Sequence, residues 1–123
     1  MNNDPRFTEP QWKQGKAEMF EILKRTASRR QMITYGDLSR SLSSIEIGPH
    51  DPAMGRMLGQ ISEEEDSNGR GMLSVLVVHK YGDMEPGNGF YELATELGKD
   101  VTDRVKLWVK ELHKVHDCWA NSN

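Results

Sequence analysis

The chain has 123 residues, enough for one domain around one core. Hydrophobic residues make up 36% and charged residues 28%, with a net charge of -3 and a pI of about 5.8; this polar, acidic balance argues against strong non-specific binding to phosphate backbones, though not against a local basic patch. The single cysteine, Cys118, excludes an internal disulfide and a cysteine-based zinc site and suits a reducing cytoplasm, while the longest apolar run, "MLSVLVV", is too short to span a membrane and "MNNDPRFTEP" lacks the apolar stretch of a secretory signal.

Residues 1–10 are polar, with two prolines, and are expected to fray; residues 11–123 are expected to form one domain. A first helix is predicted over residues 11–30, where Trp12, Met19, Phe20, Leu23 and Ala27 recur at helical spacing. Its cations (Lys13, Lys16, Lys24, Arg25, Arg29 and Arg30) suit the dipole at a helix C-terminus as well as they suit a phosphate. "QMIT" reads as a short strand. Thr34 then caps a second helix, with Asp37 at the N3 position of a capping-box relative, and Leu38 and Leu42 face inward. "SSIEIGP" leads to a third helix capped by His50 or Asp51, with Pro52 in its first turn and Met54, Met57, Leu58 and Ile61 as its inner stripe. Gly55 and Gly59 each cost about 1 kcal/mol against alanine inside a helix. Something must come close to them, and packing inside the protein is the expected reason.

The acidic loop "SEEEDSNGRG" follows, and then "MLSVLVVHK", residues 72–80, a predicted strand that is apolar on both faces and so covered or central. "YGDMEPGNG" is a glycine- and proline-rich excursion, suited to a lid or a wing tip, and the backbone amides near Gly87 and Gly89 offer an anion contact. "GFYELATELG" reads as a short helix ending at Gly98. The last helix is predicted over residues 101–119, with Val101, Val105, Trp108, Leu112, Val115 and Trp119 forming a regular stripe for the domain or for a second copy. The order of elements predicts an α+β fold: a winged helix-turn-helix-like core with a small antiparallel sheet and two additional C-terminal helices.

"ITYGDLSRSL" followed by "PAMGRMLGQI" resembles the DNA-binding module of alkylguanine-DNA alkyltransferases and alkyltransferase-like proteins. Thr34, Tyr35, Gly36, Asp37 and Leu38 match its Thr-Tyr-Gly segment, and Ala53, Gly55, Arg56 and Leu58 match its arginine-containing helix. The resemblance spans residues 33–61 and implies DNA binding. It does not extend to alkyl transfer, because the Pro-Cys-His-Arg motif is absent and Cys118 lies far off in the last helix. The segment "LSVLVVHK" with "PGNGF" also resembles a group of small bacterial proteins, a likeness that implies no activity.

On this reading the third helix enters a major groove, with Ala53, Arg56 and Gln60 at the bases. Helix N-terminal amides and Ser39 or Arg40 stand at the phosphates, and Tyr35 and Arg70 complete the expected DNA-binding set. The leading expectation is a non-catalytic binding module, DNA-binding or regulatory, in the cytoplasm, with no cofactor and no metal. The alternative is a protein-interaction module or a homodimer formed through the C-terminal helix. The third is a metal-dependent nuclease, in which the "EEED" carboxylates hold magnesium and Lys80 activates water; Val78 stands where that chemistry needs an acid. His113 and Asp117 lie at i and i+4, but two ligands do not make a metal site.

Overall fold

A computed structural model describes residues 4–80 and 86–120; of the lid or wing tip expected over residues 81–89, residues 81–85 lie outside the described residues. Helix α1 runs Glu9–Ser28. Thr8 sets its start: the Thr8 hydroxyl accepts the Gln11 N–H (3.2 Å), and the Gln11 side chain accepts the Thr8 N–H (2.8 Å). The segment before it, expected to fray, is docked from Asp4 onward. The Arg6 guanidinium bridges Asp4 and Asp51, and Phe7 lies against Trp12 with ring centroids 6.0 Å apart.

Strand β1 is Ile33–Thr34, and it passes directly into α2, Tyr35–Ser41. The Thr34 hydroxyl accepts the Asp37 N–H at 3.1 Å, which fixes that junction. The connector that follows is held by Glu18 of α1, whose carboxylate accepts the backbone N–H and the hydroxyl of both Ser43 and Ser44. Helix α3, Pro52–Ser67, is capped by Asp51, which accepts the Ala53 N–H at 2.9 Å. Helix α4 spans Asn88–Glu96 and ends at Gly98, whose φ of 80° lets the Lys99 N–H turn back to the Ala94 carbonyl at 2.9 Å. Helix α5 spans Arg104–Ala120 and starts later than the apolar stripe suggests. Asp100 and Asp103 take the Thr102 and Lys106 amides, leaving Val101 in the preceding loop.

The sheet corrects the sequence reading. It has two strands, β1 and β2 (Val77–Val78), and they pair parallel, with Ile33 opposite Val77 and Thr34 opposite Val78. A wing needs an antiparallel hairpin. Here the chain crosses through α2 and α3 between the strands and returns in the same direction, which is the connection a parallel pair requires. The described residues are therefore mostly helical, and the winged-helix expectation with its antiparallel sheet is withdrawn. The predicted strand over residues 72–80 is mostly a 3-10 turn, Leu73–Leu76, with only Val77 and Val78 in the sheet. Two of its amides are satisfied outside the sheet: the Ser74 N–H reaches the Ser62 hydroxyl on α3 (2.8 Å) and the Val75 N–H reaches the Met72 carbonyl (3.0 Å). A run buried on every side carries no alternation, so period could not separate strand from turn. This turn is the hub of the core. Helices α1, α3 and α5 pack on it, burying Met19, Leu23, Met57, Ile61, Met72 and Leu73 completely or nearly so. No helix among the described residues is long and apolar enough to cross a membrane.

Candidate functional site

The β1–α2 junction, the outer face of α3 and the start of α4 meet around a small cleft. Tyr35, the first residue of α2, is half-buried, and its phenol oxygen accepts the Gly87 N–H at 3.3 Å. Its ring lies against His79 with centroids 5.1 Å apart and planes 34° apart. Gly87 is required for this approach, since a Cβ there would stand 2.9 Å from the Tyr35 hydroxyl and 3.3 Å from His79 Nε2. Burial pushes the Tyr35 phenol above its ordinary pKa, and the Gly87 N–H offsets part of that rise. The phenol is therefore neutral at physiological pH and keeps its own hydrogen for an acceptor.

A cavity of roughly 50 Å³ lies beside it, floored by Leu58, Phe90 and Leu93 and edged by Gly55, Gly59 and Gly89. Ser74, buried, also lines it; the Ser62 hydroxyl donates to Ser74 Oγ at 2.6 Å. The glycines answer a question that the sequence raised. A Cβ added at Gly55, Gly59 or Gly89 would meet nothing within 4 Å. Internal packing, the expected reason for the Gly55–Gly59 pair, is thus not the reason. Gly15 of α1 is the opposite case, with its Cβ position 2.6 Å from Ile45 Cγ2.

The residues expected to read DNA do not gather into one such surface. Tyr35 lies at the cleft. Ser39 donates its hydroxyl to the Ile47 carbonyl (2.6 Å) and holds the connector. Ala53 is fully buried and offers a base nothing, a correction to its expected contact. Arg56 pairs with Asp4 at 2.8 Å and lies over Trp12. Gln60 accepts the Trp12 indole N–H at 2.9 Å. Arg70 grips the buried Glu65 carboxylate with two donors and lies over Trp119. Arg40 is exposed and pairs with Asp37 one turn away.

The acidic run after Ser62 is largely spent on ion pairs within the chain: Glu64 with Lys16, Glu65 with Arg70, and Asp66 with Lys99 at 2.8 Å. Among the described residues no three His, Cys, Asp or Glu side chains group closely enough to hold a metal ion. Asp117 pairs with Arg30 at 2.9 Å. Comparison with protein-family models, with curated proteins and with solved structures finds no match.

Sequence reasoning flagged Tyr35 and the Gly55–Gly59 pair but not their meeting with Phe90, Leu93 and Ser74. The available signal was the spacing of the glycines in "GRMLG" and "PGNG". What that spacing could not give is the crossover that brings α4 beside α3.

Proposed function

We propose that the chain is a non-catalytic binding module that receives a segment of a polypeptide partner in the cleft between α3 and α4. One observation carries the reading: Gly55 and Gly59 interrupt α3 at a cost of about 1 kcal/mol each, with no internal contact to require them. Such a face lets another backbone come close to the helix. The apolar floor of Leu58, Phe90 and Leu93 suits a small apolar side chain, and the Tyr35 hydroxyl and Ser74 supply polar contacts at its edge. A reducing cytoplasm is the proposed compartment, on the strength of the lone Cys118.

Duplex DNA is the second reading. In its favour stands Arg40, the most exposed of the expected contact residues, in the segment that resembles alkyltransferase-type DNA modules. Against it, Arg56, Gln60 and Arg70 are occupied internally.

Panning a random peptide display library against the protein, then repeating the binding with Gly59→Leu, separates these readings. Enriched peptides whose binding falls at least tenfold on Gly59→Leu, in a variant that still unfolds cooperatively, support the polypeptide reading. No enrichment, or peptides indifferent to the substitution, overturns it. Retardation of duplex DNA that weakens steeply with salt and with Arg40→Ala moves the assignment to DNA.

A further inference from the structure

The polar end of the cleft between α3 and α4 is made of donors. Ser74 lines the cavity and is 7% exposed. The Ser62 hydroxyl spends its hydrogen on Ser74 Oγ at 2.6 Å and accepts the Ser74 N–H at 2.8 Å. The hydrogen of the Ser74 hydroxyl then meets no acceptor among the described residues, which is uncommon for a group so deeply buried. Tyr35 repeats the pattern: its oxygen accepts the Gly87 N–H, and its own hydrogen stays unspent among the described residues. Helix α4 begins beside these two hydroxyls. Its N-cap, Gly87, has no side chain to offer, and its first turn carries no acid. The amides of Asn88 and Gly89 take no acceptor among the described residues, so this end of the helix keeps its positive charge. No acid lines the cavity.

We propose that this donor end receives a carboxylate, and that the carboxylate is the free C-terminus of the polypeptide partner. The inference rests on the polypeptide reading above and names the end of the partner that enters. Tyr35 and Ser74 donate to the carboxylate oxygens, and the start of α4 supplies the opposing charge. The floor of Leu58, Phe90 and Leu93 then takes the small apolar side chain of the last residue, while the open Gly55 and Gly59 let its backbone come close. A cavity of roughly 50 Å³ has room for a group of a few atoms. Chemistry decides against the other occupants. An ammonium or an amide N–H would bring hydrogens to a wall whose polar atoms are already donors. An internal carbonyl would satisfy the hydroxyls but leave the charge of the α4 start unanswered. A phosphate carries about two negative charges, and no lysine or arginine lines the cavity to meet them.

The test pans the full chain against two random peptide libraries, one displayed with a free C-terminus and one with that end fused to its carrier. Selected peptides are remade as the carboxylate and as the amide and titrated by fluorescence anisotropy. The expected result is enrichment from the free-ended library alone. Binding should weaken about tenfold on amidation, and about tenfold with Tyr35→Phe or Ser74→Ala, the loss that follows removal of a hydrogen bond to a charged group. Thermal unfolding of both variants is compared with the wild type, and Tyr35→Phe, at a half-buried position, carries the test if Ser74→Ala fails to fold. Equal enrichment from both libraries, or equal binding of carboxylate and amide, overturns this inference and leaves the polypeptide reading standing. Peptides that need their carboxylate but ignore both hydroxyl variants also overturn it. Enrichment from neither library overturns the polypeptide reading. Sodium butyrate, butyramide and sodium phosphate, titrated into isotope-labelled protein and read by NMR, then separate the two claims. Saturable shifts of the Ser74 and Gly89 amides with butyrate and not butyramide reassign the site to a small free carboxylate. No shift with butyrate, or tighter binding of phosphate, removes the carboxylate as well.

Discussion

Three glycines sit inside helices α1 and α3, and a methyl group added to them should act in opposite directions. At Gly55 and Gly59 the added Cβ meets nothing within 4 Å, so only the backbone preference remains. Alanine is favoured over glycine in a helix interior by about 0.8–1.0 kcal/mol, mainly because glycine loses more conformational freedom on folding. The double substitution Gly55→Ala/Gly59→Ala should therefore stabilise the protein by about 2 kcal/mol. For a chain of this size that raises Tm by about 6–10 °C. At Gly15 the Cβ would stand 2.6 Å from Ile45 Cγ2 and 3.0 Å from Ile45 Cβ, with the connector behind Ile45 held by Glu18. Overpacking of that kind costs about 1–3 kcal/mol, against a helix-preference gain of about 1 kcal/mol. Gly15→Ala should then be destabilising by up to about 2 kcal/mol. Urea unfolding with linear extrapolation, together with thermal melts, reads all three variants, and an unchanged m-value keeps the comparison within one folded state. A loss of stability in the Gly55→Ala/Gly59→Ala protein would refute the reasoning, because it would mean that the fold itself uses those open positions. A gain in Gly15→Ala would refute its other half.

Acid should release the connector after α2. Burial pushes Glu18 up, but the backbone N–H groups and hydroxyls of Ser44 and Ser43 outweigh it and hold the carboxyl at about 2, below the ordinary 4.5. A lowered carboxyl stabilises the fold above its unfolded pKa, so this contribution is complete above pH about 4.5 and is lost as pH falls towards about 2. Asp51 behaves alike: the Arg6 guanidinium and the Ala53 N–H hold it at about 2. Melts across that window should show a steeper fall in Tm for the wild type than for Glu18→Gln. Glu111→Ala should cost about 3 kcal/mol in urea unfolding, because it strips the acceptor from the buried Met72 N–H (3.1 Å) and a carboxylate from Lys99 (3.8 Å). Thr34→Ala, which leaves the Asp37 N–H without its cap, should lower stability by about 1 kcal/mol.

Local chemistry was legible in the sequence wherever one residue settles a junction. Thr34 as the cap of α2, Asp51–Pro52 as the start of α3 and Gly98 as the end of α4 all stand where their side-chain or backbone chemistry requires. Pairing direction was not legible. "QMIT" and "MLSVLVVHK" each contribute two residues to the sheet, and nothing in so short a segment encodes parallel or antiparallel; the crossover through α2 and α3 decides it. The same crossover brings Phe90 and Leu93 beside Gly55 and Gly59, which is why the glycines could be noticed but not explained from their own neighbourhood.

The charges teach a related lesson about inferring partners from composition. "SEEED" reads as an acidic loop and several cations read as phosphate contacts, yet the fold matches acids and cations to each other. Lys16 meets Glu64, Arg70 meets Glu65 and Lys99 meets Asp66, while Arg6 and Arg56 converge on Asp4. The more exposed of these pairs, such as Lys16 with Glu64, add little stability. Their larger effect is to take both signs out of the surface that a partner would meet. What the internal pairing did not use includes the open glycine face of α3, on which the proposed polypeptide contact rests.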